Sequence, residues 1–268
     1  MGHNFKKNFG QNFLKSSKFV HKLLDPLNLT ANDLVIEIGP GGGIVTKSLL
    51  ESEAQTLCVE IDYDLIAKLI KKFIDMPNFK IVNEDFLKVD LDQIISDNNV
   101  DGGIKFAGSL PYNVSKKIIR KLLDFNYRSY IANDFQIKRE IDSMAFIVQD
   151  EVAKIYSAKP PYTEFLAVIS NIFADVKKLE SIPASQFHPK PKVNGGIIFF
   201  KLKTAKQIKE LLAIKKNEAL AEAVKEFETL VRIGFSSPRK KVSSNIKHSR
   251  KYEDKKIEKA FEKLKIDD

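Results

Sequence analysis

A chain of 268 residues with 43% hydrophobic and 29% charged residues can build one large domain and a smaller one, and lies outside the disordered regime. No apolar run approaches the roughly 20 residues of a membrane span, residues 1–14 hold no apolar signal core, and a single cysteine, Cys58, excludes a disulfide framework and fits a reducing, cytoplasmic setting. The net charge of +9 is unevenly spread: residues 201–268 hold 19 Lys+Arg against 11 Asp+Glu while the first 200 hold 25 against 24, which suits a polyanion such as nucleic acid and, equally, a solvated helical face.

In chain order, residues 34–39 (Leu-Val-Ile-Glu-Ile-Gly) read as a buried strand ending at glycine, and residues 44–50 as a helix. Residues 56–62 give a second strand and 65–73 a second helix; 79–83 give a third strand and 104–108 a fourth, followed by a helix over 115–123. Residues 126–139 read as an irregular insertion, and 144–148 as a fifth strand. Strand–helix alternation of this kind predicts an α/β fold with a mainly parallel sheet covered on both faces. Residues 195–202 form a late strand with no helix just before it, suited to antiparallel addition to that sheet. Beyond Leu202 the pattern turns helical: 205–235 is rich in lysine and glutamate, Phe235-Ser236-Ser237-Pro238 breaks it, and 252–264 is amphipathic. The domain boundary falls near Lys203, giving domains 1–203 and 204–268. Cys58 lies in an apolar run and reads as an inert core thiol.

Chemistry concentrates where strands end. Glu37-Ile38-Gly39-Pro40-Gly41-Gly42-Gly43 joins a strand to a helix, and its glycines let backbone approach a ligand closely. The spacing is neither Gly-x-Gly-x-x-Gly nor a P-loop. Glu60, ending the second strand, is placed to accept from a ribose diol. Asn83-Glu84-Asp85, ending the third, can meet an adenine amino group. Either acid alone would serve as a helix cap; glycine, acid and acid at three consecutive strand ends predict a nucleoside site. The fourth strand ends in Gly108-Ser109-Leu110-Pro111-Tyr112-Asn113.

That last segment resembles the Asn-Leu-Pro-Tyr motif of the adenine-N6 methyltransferases. Lys7-Asn8-Phe9-Gly10-Gln11-Asn12-Phe13-Leu14 is similar to the N-terminal signature of the rRNA adenine dimethyltransferases, Phe187-His188-Pro189-Lys190-Pro191-Lys192-Val193-Asn194 to their later proline-rich motif, and residues 230–241 to their C-terminal domain. The resemblance runs from about Phe9 to Asn245 in the family's order. It implies a Rossmann-like class I methyltransferase sheet with a small C-terminal α-helical domain, S-adenosyl-L-methionine as cofactor, no metal, and a monomer acting on the immature 30S subunit. The implied reaction is dimethylation of two adjacent adenines near the 3′ end of small-subunit rRNA. Leu110, Pro40 and the Phe-Ser-Ser-Pro-Arg-Lys-Lys segment look like this assembly branch rather than the macrolide-resistance branch, which modifies large-subunit rRNA.

Carried over residue by residue, the resemblance assigns Gln11, Asn12 and Leu14 to closure over the cofactor, and Gly39 and Gly41 to its methionine end. Glu60 with Ile61 takes its ribose, and Asp85 with Phe86 its adenine; Ser109 borders both cofactor and target. Ser109 and the carbonyl of Pro111 are the expected acceptors for the adenine amino hydrogens, with Leu110 between them, Tyr112 stacked on the base and Phe187 on its opposite face. A core aromatic accounts for Phe187 equally well. Arg239, Lys240 and Lys241 are the expected RNA backbone contacts. Ser109 departs from the family's asparagine, which predicts reduced activity and leaves open a third reading, an RNA-binding assembly factor with weakened catalysis.

Overall fold

The computed structural model describes residues 12–98, 101–131, 140–214 and 219–265, with the backbone alone for 129–131. A short strand β1 (Phe13–Leu14) and helix α1 (Ser17–Leu24) lead into β2 (Leu34–Ile38), α2 (Ile44–Glu51), β3 (Gln55–Glu60), α3 (Tyr63–Phe73), β4 (Phe79–Asn83) and α4 (Leu91–Ser96). Then come β5 (Ile104–Ser109), α5 (Ser115–Ile131), β6 (Ile141–Gln149), α6 (Asp150–Tyr156), α7 (Phe165–Phe173), β7 (Ala174–Ile182), β8 (Phe187–His188) and β9 (Gly195–Leu202). Helices α8 (Ala205–Leu211), α9 (Leu220–Gly234), α10 (Val242–His248) and α11 (Asp254–Leu264) complete the chain. Among the described residues no helix is long and apolar enough to cross a membrane.

Seven strands form one sheet in the order β4-β3-β2-β5-β6-β9-β7. β2 through β6 are parallel; β9 pairs antiparallel with both β6 and β7. The chain winds outward from β2 through β3 to β4, then returns to place β5 on the other side of β2. A crevice opens at such a reversal, outside the carboxyl ends of the strands.

Burial on both faces explains why the central strands are continuous apolar runs. Successive residues serve opposite cores, as the two-residue period of a strand requires. Ile36, Phe106 and Phe146 enter one cluster with side chains of α5, α7 and α9. Val35, Ala107, Ala145 and Ile147 enter the other with α1 and α2. Helix α3 buries Leu65, Ile66, Leu69 and Phe73 along one stripe and is capped by Asp62, whose side chain accepts from Asp64 N.

The structure revises several expectations. The supposed irregular insertion begins as helix: α5 continues through Asn126 to Ile131, and the rest of that segment, 132–139, lies outside the described residues. Asn126 is buried rather than helix-breaking, since its amide donates to Ile141 O at 2.8 Å and accepts from Ile141 N at 2.7 Å. The helix expected over 205–235 is divided, because α8 ends at Leu211 in a turn with Ala213 at a φ of 50°. Strand β7 and helix α7 were not anticipated. Ile208, Leu220, Val224 and Val231 share the core of the sheet, so a division at 203/204 separates element types rather than cores.

Candidate active site

The crevice at the carboxyl ends of β2, β3, β4 and β5 holds a cavity. Asn12 and Leu14 line it together with Gly39, Gly41, Glu60, Ile61, Asp85, Phe86, Ser109, Leu110, Pro111 and Tyr112. Residues separated by about a hundred positions thus meet at one place. Gln11 lies outside the described residues.

The glycine turn adopts the left-handed backbone at Gly41, with a φ of 56°, and a Cβ there would lie 2.9 Å from the Phe13 ring. Glycine is required on both counts. At Gly108 a Cβ would stand 2.4 Å from Ile38 O, so glycine also permits the close approach of β5 to β2. Beneath the turn, Glu60 Oε2 accepts from Gly41 N at 3.3 Å and Oε1 from Asp62 N at 2.9 Å. Burial raises the Glu60 pKa. Asn83 Nδ2 donates to Glu60 O at 2.8 Å, tying β4 to the end of β3. Asp85 Oδ1 accepts from Leu87 N at 3.0 Å, while the Phe86 ring meets Phe106 edge-on.

Glu37 also lines the cavity, although its only expected part was as the first residue of the glycine-rich motif. Its carboxylate accepts from Thr46 Oγ1 at 2.6 Å and from Cys58 Sγ at 3.3 Å, and burial pushes its pKa up to about 7. The acid preceding a glycine turn on a buried strand was the available signal. Burial likewise raises the Cys58 pKa, as an unreactive thiol requires.

The loop after β5 bends into α5. Leu110 is buried, and its N–H donates to Ile147 O at 2.9 Å. The Pro111 carbonyl accepts from Val114 N at 3.2 Å and Ser115 N at 3.0 Å, closing the first turn into the helix. Both lone pairs are therefore engaged, which corrects the expectation that this carbonyl receives the substrate amine. Among the described residues nothing donates to the Leu110 carbonyl. The Tyr112 hydroxyl is buried without a hydrogen-bond partner among the described residues, and burial pushes its pKa up to about 12. A buried, unsatisfied hydroxyl beside a cavity calls for an explanation, and a ligand supplies one.

Phe187 is not brought to the cavity. It is 1% exposed, belongs to the core shared with α1 and α2, and a Cβ on Gly195 would lie 2.8 Å from its ring. Its strand β8 pairs antiparallel with β1, Leu14 opposite Phe187, so it anchors the segment carrying Asn12 and Leu14. Arg239, Lys240 and Lys241 are exposed on the connection between α9 and α10, outside the cavity lining. Asn245 Nδ2 braces that connection by donating to Gly234 O at 2.7 Å and Ser237 O at 3.1 Å. Among the described residues no group of three or more His, Cys, Asp or Glu could hold a metal ion.

A family model described as ribosomal RNA adenine dimethylase matches residues 2–268. A relative named ribosomal RNA small subunit methyltransferase A, from a Sulfurihydrogenibium species, is 34% identical over 245 residues, covering 90% of this chain and 84% of its own. The protein of the same name from Mycoplasma mobile is 30% identical over 268 residues, covering 99% and 91%. Among solved structures, the 23S rRNA methyltransferase ErmE superposes with a TM-score of 0.69 at 23% identity over 93% of this chain and 88% of that one, a likeness of fold.

Proposed function

Because the chain belongs to the ribosomal RNA adenine dimethylase family, we propose that it uses S-adenosyl-L-methionine to dimethylate the N6 amino groups of two adjacent adenines near the 3′ end of small-subunit rRNA, in the immature 30S subunit. The convergence of the glycine turn, Glu60, Asp85 and the Ser109–Tyr112 loop on one cavity carries this reading. The small-subunit assignment draws on the relatives' names.

The residues fit the cofactor. The Gly41 turn leaves no room for a side chain, which suits close approach of a methionine moiety. Glu60 and Ile61 line the cavity where they can take the ribose, and Asp85 and Phe86 can take the adenine, with the second Asp85 oxygen available as acceptor. Asn12 and Leu14 line the same cavity and can close over the cofactor. When bound, the cofactor supplies an already activated methyl group on a sulfonium.

The protein then has to place the adenine nitrogen in line and stabilise its developing positive charge. The adenine amine is a poor nucleophile because its lone pair is delocalised into the ring. Acceptors aimed at its hydrogens favour a pyramidal nitrogen. We assign these to the Ser109 hydroxyl and the Leu110 carbonyl, since the Pro111 carbonyl is occupied. Tyr112 provides the face on which the base stacks. The monomethylated amine keeps one hydrogen, so one acceptor suffices in the second transfer.

The test is transfer of labelled methyl to purified subunits. Label in the small-subunit rRNA of immature 30S particles is expected. Label confined to large-subunit rRNA would replace the assignment with the resistance-type reaction, and none in either would leave an RNA-binding factor.

A further inference from the structure

Helix α5 starts at the loop proposed to hold the target base, and Ile118 on its first turn lines the cavity. One turn further, Lys121 leaves the helix sideways toward the turn that follows β4. Its ammonium donates to Phe86 O at 2.9 Å, Leu87 O at 3.0 Å and Val89 O at 2.6 Å. An ammonium has three N–H donors and no acceptor. All three are spent on carbonyls of one turn, and the nitrogen also lies over the Phe86 ring, 5.4 Å from its centroid.

The turn is otherwise held mainly by Asp85, whose side chain accepts from Leu87 N and whose carbonyl accepts from Lys88 N and Val89 N. Asp85 thus gathers the N–H groups and Lys121 gathers the carbonyls. A surface lysine would keep its head in water. This one is partly buried in a charge-assisted cage, and such bonds are the strong ones. The cage joins two elements that sequence leaves 32 to 35 residues apart.

We propose that Lys121 is a positioning residue coupling the two halves of the site, holding the Asp85–Phe86 turn against α5 so that order at the cofactor adenine and order at the target-base loop reinforce each other. The inference rests on the reading of Asp85 and Phe86 as the adenine side. Coupling of this kind is reciprocal for binding: cofactor should tighten RNA, and RNA should tighten cofactor.

Lys121→Met keeps the stem and removes the donors, and Lys121→Arg restores donors on a longer fork. Calorimetry with S-adenosylhomocysteine should show binding weakened about tenfold in Lys121→Met, a loss of the size expected for about one net hydrogen bond, and largely recovered in Lys121→Arg. The same variant should lose the gain in RNA affinity that saturating S-adenosylhomocysteine gives the wild type. Wild-type hydrogen exchange needs no variant: adding S-adenosylhomocysteine should slow amide exchange both in residues 85–89 and at the start of α5. Unchanged affinity in a folded Lys121→Met, or protection confined to 85–89, overturns the proposal while leaving the cavity reading intact. A wild-type chain that binds no S-adenosylhomocysteine defeats the cavity reading, and this proposal with it.

Discussion

Ser109 stands where the family's pattern has asparagine, and its hydroxyl reaches less far than an amide oxygen. If that shortfall limits acceptance from the adenine amine, Ser109→Asn should raise the single-turnover methylation rate by about fivefold, equivalent to roughly 1 kcal/mol of transition-state stabilisation. An unchanged or lower rate would mean that the serine is suited to this pocket as it stands. Glu37 makes a different prediction. Its folded pKa, about 7, lies above the 4.5 of the unconstrained group. The folded state therefore binds the proton more tightly, and the stability this contributes is full below pH 4.5 and lost as pH rises to 7. The loss is at most about 3.5 kcal/mol. Glu37→Gln has no proton to lose, so its urea midpoint minus that of the wild type should grow between pH 5 and pH 8. A flat difference would show that Glu37 does not titrate in this window. Taking the difference removes opposing carboxylates such as Asp150, whose pKa is held down to about 2 by Lys178, Ser181 and Lys154 despite its partial burial.

At the scale of elements, Asn126 carries the clearest structural consequence. Its single amide satisfies both backbone groups of Ile141 where α5 meets the start of β6. Asn126→Ala should cost about 2–4 kcal/mol, because two buried backbone groups lose their partners; chemical denaturation reads this directly, and a cost under about 0.5 kcal/mol would mean that water replaces the amide. The same residue shows why part of the fold could not be read in advance. Asparagine near the end of a helical pattern reads as a break when its partner, fifteen positions on, is unknown. The parallel strands were legible because burial on both faces leaves unbroken apolar runs, as in Leu34–Ile38. Strand β7 was not, because an edge strand alternates and here carries Lys177, Leu179 and Ser181 on the exposed side. Helix α7, Phe-Leu-Ala-Val-Ile-Ser-Asn-Ile-Phe, has no polar face to reveal its period. Within the site, glycines and acids at strand ends were legible from chain order alone. The occupied Pro111 carbonyl and the buried Phe187 were not, since both depend on which backbone groups and rings meet in three dimensions.

Across the whole molecule, the uneven charge acquires a geometry. The carboxyl ends of the strands hold the cavity, and the exposed Arg239, Lys240 and Lys241 lie on a connection that Asn245 fixes to the end of α9. Helix α9 is itself tied to α5 by Arg120, which pairs with Glu228 at 2.9 Å, and by the Tyr127 hydroxyl, which donates to Ala221 O at 3.0 Å. A basic connection braced in this way can hold RNA phosphates at a set position relative to the target-base loop. If all three side chains contact phosphates of a single-stranded segment, replacing them with glutamine should lower the slope of log affinity against log salt by about 2, at roughly 0.7 per contact. RNA binding should weaken similarly for target and non-target sequences, because phosphate contacts position without reading bases. S-adenosylhomocysteine affinity should stay at the wild-type value, since none of the three lines the cavity. Filter binding across a salt series separates the outcomes. A parallel line displaced to weaker affinity would indicate lost structure rather than lost phosphate contacts, and an unmoved line would assign the C-terminal charge to a solvated face.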